Sequence, residues 1–384
     1  MDGWSELLDH LTQTPRENGT SALDATASWL VDALTNIGLQ VQTVEWTAHP
    51  WRLRIVGVGA FLASVAYVVL LQRKNGWGAL AVGLLVPLWI VVELDVGVPL
   101  LGWIHPSPQK HVVALVAPTD APRQRLVFSA HYDTKTDLLD HVERAPFTFL
   151  GLPLAALLVV VAAVSLRWKL PRLVRVAQVA ALVNGVGQLV VQAGGAVASQ
   201  RSPGAIDDGA SCAILLQLGR ALHEAPLTHT EVEFVFFSGE EIGIEGSRAY
   251  ARERFGGGVD RPTRVVNLDG VGARSQLLVM KSETSLVRSF SPDPRLLALV
   301  GKVHQARYGA PLYRTFYSAS TDARAFLEVG IPALTLASDL PDHAIQRGLH
   351  STHDARELVR VDALDATVAL LSDVARAVDA EPAP

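Results

Sequence analysis

Apolar residues are distributed unevenly along the 384-residue chain and collect in four long blocks without a charged residue. The blocks form two pairs, and a short segment carrying Arg or Lys separates the members of each pair. A membrane-spanning helix needs roughly 20 apolar residues. The third block meets this length most clearly, and the fourth, which contains Gln and Asn, meets it least clearly. The blocks are residues 55–71, 77–92, 146–166 and 176–200.

We interpret the blocks as about four transmembrane helices arranged in two hairpins, which makes membrane lipid an expected partner. Trp51, Trp77, Trp103 and Trp168 lie at or near the block ends, where aromatic side chains mark the membrane–water interface. The alternative is a set of buried core helices, or a hydrophobic lid on a soluble enzyme.

The remaining sequence alternates between strand and helix patterns. Residues 111–117 and 125–133 are typical of strands, and residues 21–37 have helical spacing with Gly38 as a C-terminal stop. This alternation predicts an α/β fold, a three-layer αβα sandwich around a mixed, mostly parallel sheet. The predicted main domain combines residues 1–50, 107–140 and 201–384, and the hairpin insertions are residues 51–106 and 141–200.

Composition excludes some classes of function. Hydrophobic residues make up 49% of the chain, charged residues only 18%, and the formal net charge is -5. The chain therefore lacks the basic footprint of a nucleic-acid-binding protein. Cys212 is the single cysteine, which excludes an intramolecular disulfide and any cysteine-rich zinc site.

Acidic residues and histidines follow several of the predicted strands. Functional residues in open α/β sheets collect at the carboxyl ends of the strands, so we expect these side chains to meet at one edge. Buried charges are costly unless they are paired or bind metal. Imidazole and carboxylate ligands suit Zn²⁺, with Mn²⁺ or Co²⁺ as substitutes. The candidates are His131, Asp133, Asp207, Asp208, Glu240, Glu241, Asp269, His350, His353 and Asp354.

Six segments stand out around these residues: PRENGT, HYDT, GAIDDGAS, GEEIGIEGSRAY, NLDGVG and HSTHD. Together, and in this order, they resemble the motifs of metallopeptidase family 28, the co-catalytic zinc aminopeptidases. That family includes bacterial leucyl aminopeptidases, glutamate carboxypeptidases, glutaminyl cyclases and the non-catalytic transferrin receptor. The resemblance implies a zinc-dependent hydrolase that acts on peptides.

The resemblance also implies a ligand set for two zinc ions. One ion takes His131 and Asp269, and the other takes Glu241 and His350. Asp207 gives one oxygen to each ion, and such a bridge holds two metals about 3.5–4 Å apart.

Three further roles follow from the resemblance. Asp208 is not a ligand, and the peptide bond that joins it to Asp207 is cis in the family. Asp133 hydrogen-bonds the second ring nitrogen of His131, which sets the tautomer of a metal-binding imidazole. Glu240 is the general base, taking a proton from the attacking water and delivering it to the leaving amine.

Substrate contacts are less closely matched to the family. Tyr313 or Tyr317 is a candidate donor to the oxyanion, and Asp322 fits the family's S-D-H segment as a further candidate contact. Ala323 replaces the usual His of that segment, and Leu349 replaces the common Tyr before the last ligand.

The expected function is that of a membrane-anchored dizinc aminopeptidase that hydrolyses the N-termini of peptides. The alternatives are a glutaminyl cyclase-like or carboxypeptidase-type relative, or a non-catalytic homologue; the oligomeric state stays open. Six Lys and Arg residues lie on the hairpin loops, against four beside the block ends on the other side. The positive-inside rule then predicts an integral membrane protein with an extracytoplasmic catalytic domain.

Overall fold

The computed structural model describes residues 3–315, 319–338 and 343–381, which form two compact units. The sheet unit comprises residues 1–48, 107–135 and 201–384, and the helical unit comprises residues 49–106 and 136–200. The helices in the described chain are α1 (Trp4–Thr12), α2 (Ser21–Ile37), α3 (Arg52–Gln72), α4 (Gly76–Ile90), α5 (His141–Ser165), α6 (Pro171–Ala193), α7 (Ala210–Glu224), α8 (Glu245–Phe255), α9 (Pro294–Tyr308), α10 (Asp322–Glu328), α11 (His343–Gly348) and α12 (Val361–Ala380).

The strands of the described chain all belong to the sheet unit. They are β1 (Gln40–Ala48), β2 (Ser107–Val116), β3 (Gln124–His131), β4 (Thr230–Phe237), β5 (Thr263–Leu268), β6 (Leu278–Val279), β7 (Glu283–Thr284), β8 (Ser289–Phe290), β9 (Tyr313–Arg314) and β10 (Ala333–Ala337).

Eight of these strands form one sheet in the order β1-β2-β4-β3-β5-β10-β6-β9. The four central strands β4, β3, β5 and β10 run parallel to one another, and β6 pairs with β9 in parallel. The pairs β1–β2, β2–β4 and β10–β6 are antiparallel. Every residue of β3 is buried, as expected for a central parallel strand covered on both faces. The predicted mixed, mostly parallel sheet is confirmed.

Alternate residues of β3 belong to different hydrophobic cores. Leu126, Phe128 and Ala130 pack in a core with helices α1, α2, α7, α9 and α12. Val127 points to the other face and packs in a second core with α8 and α10. Helices therefore cover both faces of the sheet, which is the predicted three-layer arrangement.

Helix α2 begins and ends where the sequence predicts. The Thr20 side chain accepts a hydrogen bond from the Leu23 amide at 3.3 Å, and Gly38 ends the helix with φ 100°. A hydroxyl cap at the first turn and a left-handed glycine after the last turn satisfy backbone groups that the helix leaves unpaired.

The helical unit is a bundle in which α3 packs against α4 and α6, and α5 packs against α4 and α6. Small residues allow close approach: a Cβ on Gly57 would lie 2.9 Å from Gln192, and one on Gly185 would lie 2.6 Å from Ser64. The Tyr67 hydroxyl donates a hydrogen bond to the Leu158 carbonyl at 2.7 Å. Small residues and interhelical hydrogen bonds are typical of helix packing in membranes.

Four helices of this unit are long and apolar enough to cross a membrane by length and composition. They span Arg52–Gln72, Gly76–Val96, His141–Ser165 and Pro171–Val197, with mean hydropathies of 2.2, 2.1, 2.5 and 1.5. At most 33% of the most apolar window of any of them is buried. Large apolar side chains such as Leu85, Phe149 and Val176 are therefore more than half exposed along the helices.

The two ends of the helical unit are held by different contacts. At the hairpin tips, a Cβ on Gly76 would lie 2.6 Å from the Leu166 side chain, so the two tips contact each other. At the other end, a buried ion pair joins the first residue of α3 to the continuation of α4, with Arg52 Nε 3.3 Å from Glu93 Oε1.

Candidate metal centre

Five predicted ligands lie at the carboxyl ends of the central strands or in nearby turns. His131 is the last residue of β3, and Asp269 directly follows β5, which pairs with β3 in parallel. Glu241 follows β4 on the other side of β3. Asp207 lies in the turn before α7, and His350 follows α11.

Asp207 lies between two imidazole rings. Its Oδ1 is 3.1 Å from His131 Nε2, and its Oδ2 is 3.1 Å from His350 Nε2. His350 Nε2 is also 3.0 Å from Glu241 Oε1. Both oxygens of one carboxylate therefore face different nitrogen donors.

The donor atoms form two groups that could each hold a metal ion. One group contains His131, Asp207 and Asp269, and the other contains Asp207, Glu241 and His350. Within each group the donor atoms lie within 4.8 Å of one another. Imidazole nitrogen and carboxylate oxygen are suitable zinc ligands, so the donor set fits one or two zinc ions.

The charge balance of the cluster also fits a cation. Burial, and then the charge of Asp207, raise the pKa of Asp269 well above its ordinary value. Burial also raises the pKa of Glu240 well above its ordinary value, with Glu241, Asp269 and Asp322 adding to the shift. A bound dication would offset this crowding of carboxylates.

Asp207 and Asp208 point to different partners. The peptide bond between them is cis, as the resemblance implies. Asp208 Oδ2 accepts a hydrogen bond from the His131 amide at 3.3 Å, and its Oδ1 accepts one from the Ser211 hydroxyl. Asp208 therefore supports the backbone of His131, while Asp207 faces the imidazoles.

A model of peptidase family M28 matches residues 186–375. The chain belongs to peptidase family M28. It is a zinc-dependent hydrolase of the metallopeptidase class. The matched segment contains Asp207, Glu241, Asp269 and His350, whereas His131 precedes it. A search of curated proteins gives no match.

Solved structures resemble this M28 chain over nearly its whole length. The aminopeptidase from Aneurinibacillus sp. strain AM-1 is 13% identical, covers 97% of this chain and 92% of its own, and has a TM-score of 0.56. A Zn-dependent exopeptidase from Parabacteroides distasonis is 13% identical, with 99% and 97% covered and a TM-score of 0.57. A glutaminyl cyclase from Porphyromonas gingivalis is 16% identical, with 97% and 96% covered and a TM-score of 0.56. At sequence identities this low, the similarity shows a shared fold and nothing more.

The turn that carries Asp207 is held by Gly204 and Asp354. Gly204 has φ 61°, and a Cβ there would lie 2.6 Å from the Asp207 carbonyl oxygen. The Asp354 carboxylate accepts hydrogen bonds from the amides of Ile206 at 2.7 Å and Asp207 at 3.2 Å. The sequence pointed to Asp354 only as a charge near His350, without a role.

Asp133 connects the His131 loop to the turn after β4. Its carboxylate accepts hydrogen bonds from the Glu240 amide at 3.3 Å, the Glu241 amide at 3.0 Å and the Asn18 side chain at 2.6 Å. The contact to His131 differs from the expected one, because ring Nδ1 lies 3.1 Å from the Asp133 carbonyl oxygen and 3.6 Å from its carboxylate. The carboxylate is directed toward the amides that it accepts from.

The remaining predicted site residues differ in burial and in position. Asp322 is fully buried at the start of α10, and burial raises its pKa to about 7. Glu240 is half-buried and immediately precedes Glu241. Tyr313 is 51% exposed on the edge strand β9. Tyr317 lies outside the described residues.

Proposed function

We propose that the chain is a membrane-anchored dizinc aminopeptidase that removes N-terminal residues from peptides. The observation that carries the proposal is the position of Asp207, whose two oxygens each lie 3.1 Å from a different imidazole nitrogen. This arrangement divides five side chains into two groups of three that share one carboxylate. The sheet unit is then the catalytic domain, and the helical unit is an insertion of two hairpins.

In this proposal His131, Asp207 and Asp269 hold one zinc ion, and Asp207, Glu241 and His350 hold the other. Bound zinc lowers the pKa of water toward neutrality and polarises a carbonyl group. The protein's own contribution is to hold the donor atoms before metal arrives, and the buried histidines and carboxylates support that role.

Glu240 is the proposed general base. A general base works best when its pKa lies near the working pH, and burial raises the pKa of Glu240. Its carboxylate would take a proton from the attacking water and pass it to the leaving amine. The Asp133 carboxylate positions Glu240 by accepting its amide hydrogen.

The charge of the site favours substrates with a free amino terminus. The strongest charged neighbours of Glu240 and Asp269 are His131 and other carboxylates. An α-ammonium group would be attracted by these carboxylates, whereas recognition of a C-terminal carboxylate uses Arg or Lys. The site therefore supports an aminopeptidase rather than a carboxypeptidase.

A glutaminyl cyclase is the second candidate, because cyclase structures are among those with a similar fold. Metal analysis combined with four substrates distinguishes the candidates: a peptide with a free amino terminus, its N-acetylated form, a glutaminyl peptide and a peptide blocked only at its carboxyl end. We expect two zinc ions per chain and hydrolysis of peptides with a free amino terminus only. Cyclisation of the glutaminyl peptide without hydrolysis would replace the proposal with the cyclase.

Glu240→Gln tests the chemical role of the base. Glutamine has nearly the same shape but cannot accept the proton, so we expect both ions to remain and the rate to fall by about 10² to 10⁴. Glu253→Gln, on the exposed side of α8, is the matched control and should leave the rate unchanged. A Glu240→Gln enzyme within a few-fold of wild type would exclude Glu240 as the base.

We propose that the four apolar helices span the membrane, with the hairpin tips in the cytoplasm and the catalytic domain outside. The low burial of the helices supports insertion. Arg73 and Lys74 lie in one tip and Arg167 and Lys169 in the other, which favours a cytoplasmic location of the tips.

Cysteine labelling tests this topology, and the native Cys212 gives little background because it is fully buried. An impermeant thiol reagent applied to intact cells should label Ala380→Cys but not Leu170→Cys. Labelling of Leu170→Cys alone would reverse the topology. Equal labelling of both variants in a soluble fraction would mean that the helices span nothing.

A further inference from the structure

Arg16 is almost completely buried beside the candidate metal centre, with 1% of its surface exposed. Its guanidinium donates hydrogen bonds to the carbonyl oxygens of Tyr132 at 2.8 Å, Pro203 at 2.8 Å and Gly204 at 3.0 Å, and also to that of Leu11. All these acceptors are main-chain atoms, so one side chain ties together three separate stretches of backbone.

Two of these stretches carry proposed metal ligands. Tyr132 directly follows His131, and Gly204 begins the turn that leads to Asp207. The backbone of Arg16 adds a second connection, because its amide donates to the Thr134 hydroxyl at 2.9 Å and its carbonyl accepts from the Thr134 amide at 3.1 Å. One residue, Arg16, is therefore hydrogen-bonded to both the His131 loop and the Asp207 turn.

Asn18, two positions further along, reaches the third ligand-bearing loop. Its side-chain amide donates to Asp133 Oδ2 at 2.6 Å, and the same oxygen accepts the Glu241 amide at 3.0 Å. The contact orders a carboxylate that in turn orders the backbone of a proposed ligand.

The charge of Arg16 also matches its surroundings. Burial lowers the pKa of the guanidinium, and the carboxylates of Asp354, Asp133 and Asp208 oppose that shift. Each of these three carboxylates accepts a hydrogen bond from the backbone of a proposed ligand. The Arg16 guanidinium therefore supplies a positive charge among the three carboxylates that hold the ligand backbones.

We propose that residues 15–20, PRENGT, act as a positioning strap for the metal centre, in which Arg16 and Asn18 set the spacing of the three ligand-bearing loops and thereby the metal affinity. This inference rests on the proposed metallopeptidase function. Arg16 and Asn18 are positioning residues, because they act through Tyr132, Gly204 and Asp133 and touch neither substrate nor metal.

The test measures zinc affinity directly, by competition with a chromogenic chelator in the absence of substrate. Lysine retains the charge of Arg16 but replaces its planar fork with a single point of contact. We expect Arg16→Lys to lower zinc affinity about 10- to 100-fold, the range found when supporting partners of metal ligands are replaced. Asn18→Ala should change affinity in the same direction and provides the readout if the Arg16 variant does not fold.

Arg125→Lys is the matched control. Arg125 is also buried on the sheet unit, but it pairs with Glu231 at 2.7 Å and Asp260 at 3.1 Å near the start of β3. His131 lies six residues further along the same strand, roughly 20 Å away. We expect the control variant to lose thermal stability without losing zinc affinity.

The possible outcomes distinguish a failure of the strap inference from a failure of the proposed function. If Arg16→Lys and Asn18→Ala bind zinc within three-fold of wild type, although they melt earlier as Arg125→Lys does, the residues are merely structural and the inference is overturned. A wild-type protein without zinc affinity would instead contradict the proposed function. A low affinity in the strap variants with a normal affinity in the control supports the inference.

Discussion

Asp354 holds the turn that carries Asp207, and its replacement by asparagine gives a measurable test of that role. The carboxylate is fully buried and accepts hydrogen bonds from the amides of Ile206 at 2.7 Å and Asp207 at 3.2 Å. Asparagine keeps the size of the side chain but offers only one acceptor oxygen. One of the two amides would therefore face an NH₂ group.

The magnitude follows from two opposing effects. A buried N–H group left without an acceptor costs about 1–3 kcal/mol. Burial, and then the charge of Asp207, raise the pKa of Asp354 to about 7, so relief of this repulsion offsets part of the loss. We expect the free energy of unfolding to fall by about 1–2 kcal/mol, and the Tm by roughly 2–8 °C. Zinc affinity should fall about 10-fold or more, because the Asp207 backbone loses its support.

Thermal melting and chelator competition measure the two effects separately. Asp379→Asn is the control, since the Asp379 carboxylate likewise accepts two backbone amides, those of Thr228 and His229, each at 2.8 Å. It should lower the Tm without changing zinc affinity. The reasoning is refuted if Asp354→Asn binds zinc as tightly as the control does.

Three further predictions concern the same centre. Asp207→Ala should reduce the occupancy of both ions and His131→Ala mainly that of one; equal losses in metal analysis would contradict the shared carboxylate. Glu241→Gln should lower metal content, whereas Glu240→Gln should not, and equal metal content in the two variants would contradict the assignment of Glu241 as ligand and Glu240 as base. Burial raises the pKa of Asp322 from 3.8 to about 7, so over this pH range the folded, metal-free protein binds more protons than the unfolded chain. The free energy of unfolding should therefore fall as pH rises. Urea denaturation should show a smaller fall for Asp322→Asn than for wild type. An identical pH dependence in the two proteins would contradict the raised pKa of Asp322.

Local patterns in the sequence were sufficient for the main elements of the fold. The bounds of α2 follow from Thr20 and Gly38, because each caps backbone groups only a few residues away. The all-buried strand β3 and the four apolar helices likewise follow from runs of similar residues. These features depend on neighbours in the chain, so the sequence contains what is needed to predict them.

The predicted ligands could be located for a related reason. Parallel strands bring their carboxyl ends to one edge, so a His or Asp after β3 and β5 must approach its counterpart once the strand order is known. The motifs indicated which residues to consider. They did not indicate which oxygen of Asp207 faces which histidine, or that the Asp133 carbonyl rather than its carboxylate lies nearer His131 Nδ1.

Only the tertiary structure decided the supporting contacts. Arg16 and Gly204 are 188 positions apart, and Asp354 and Ile206 are 148 positions apart, yet each pair is joined by a hydrogen bond. A hydrogen bond forms only within a few tenths of an ångström of its preferred length. That accuracy comes from the packing of the sheet, its helices and their turns together, whereas residue type and spacing along the chain determine only which groups are able to bond.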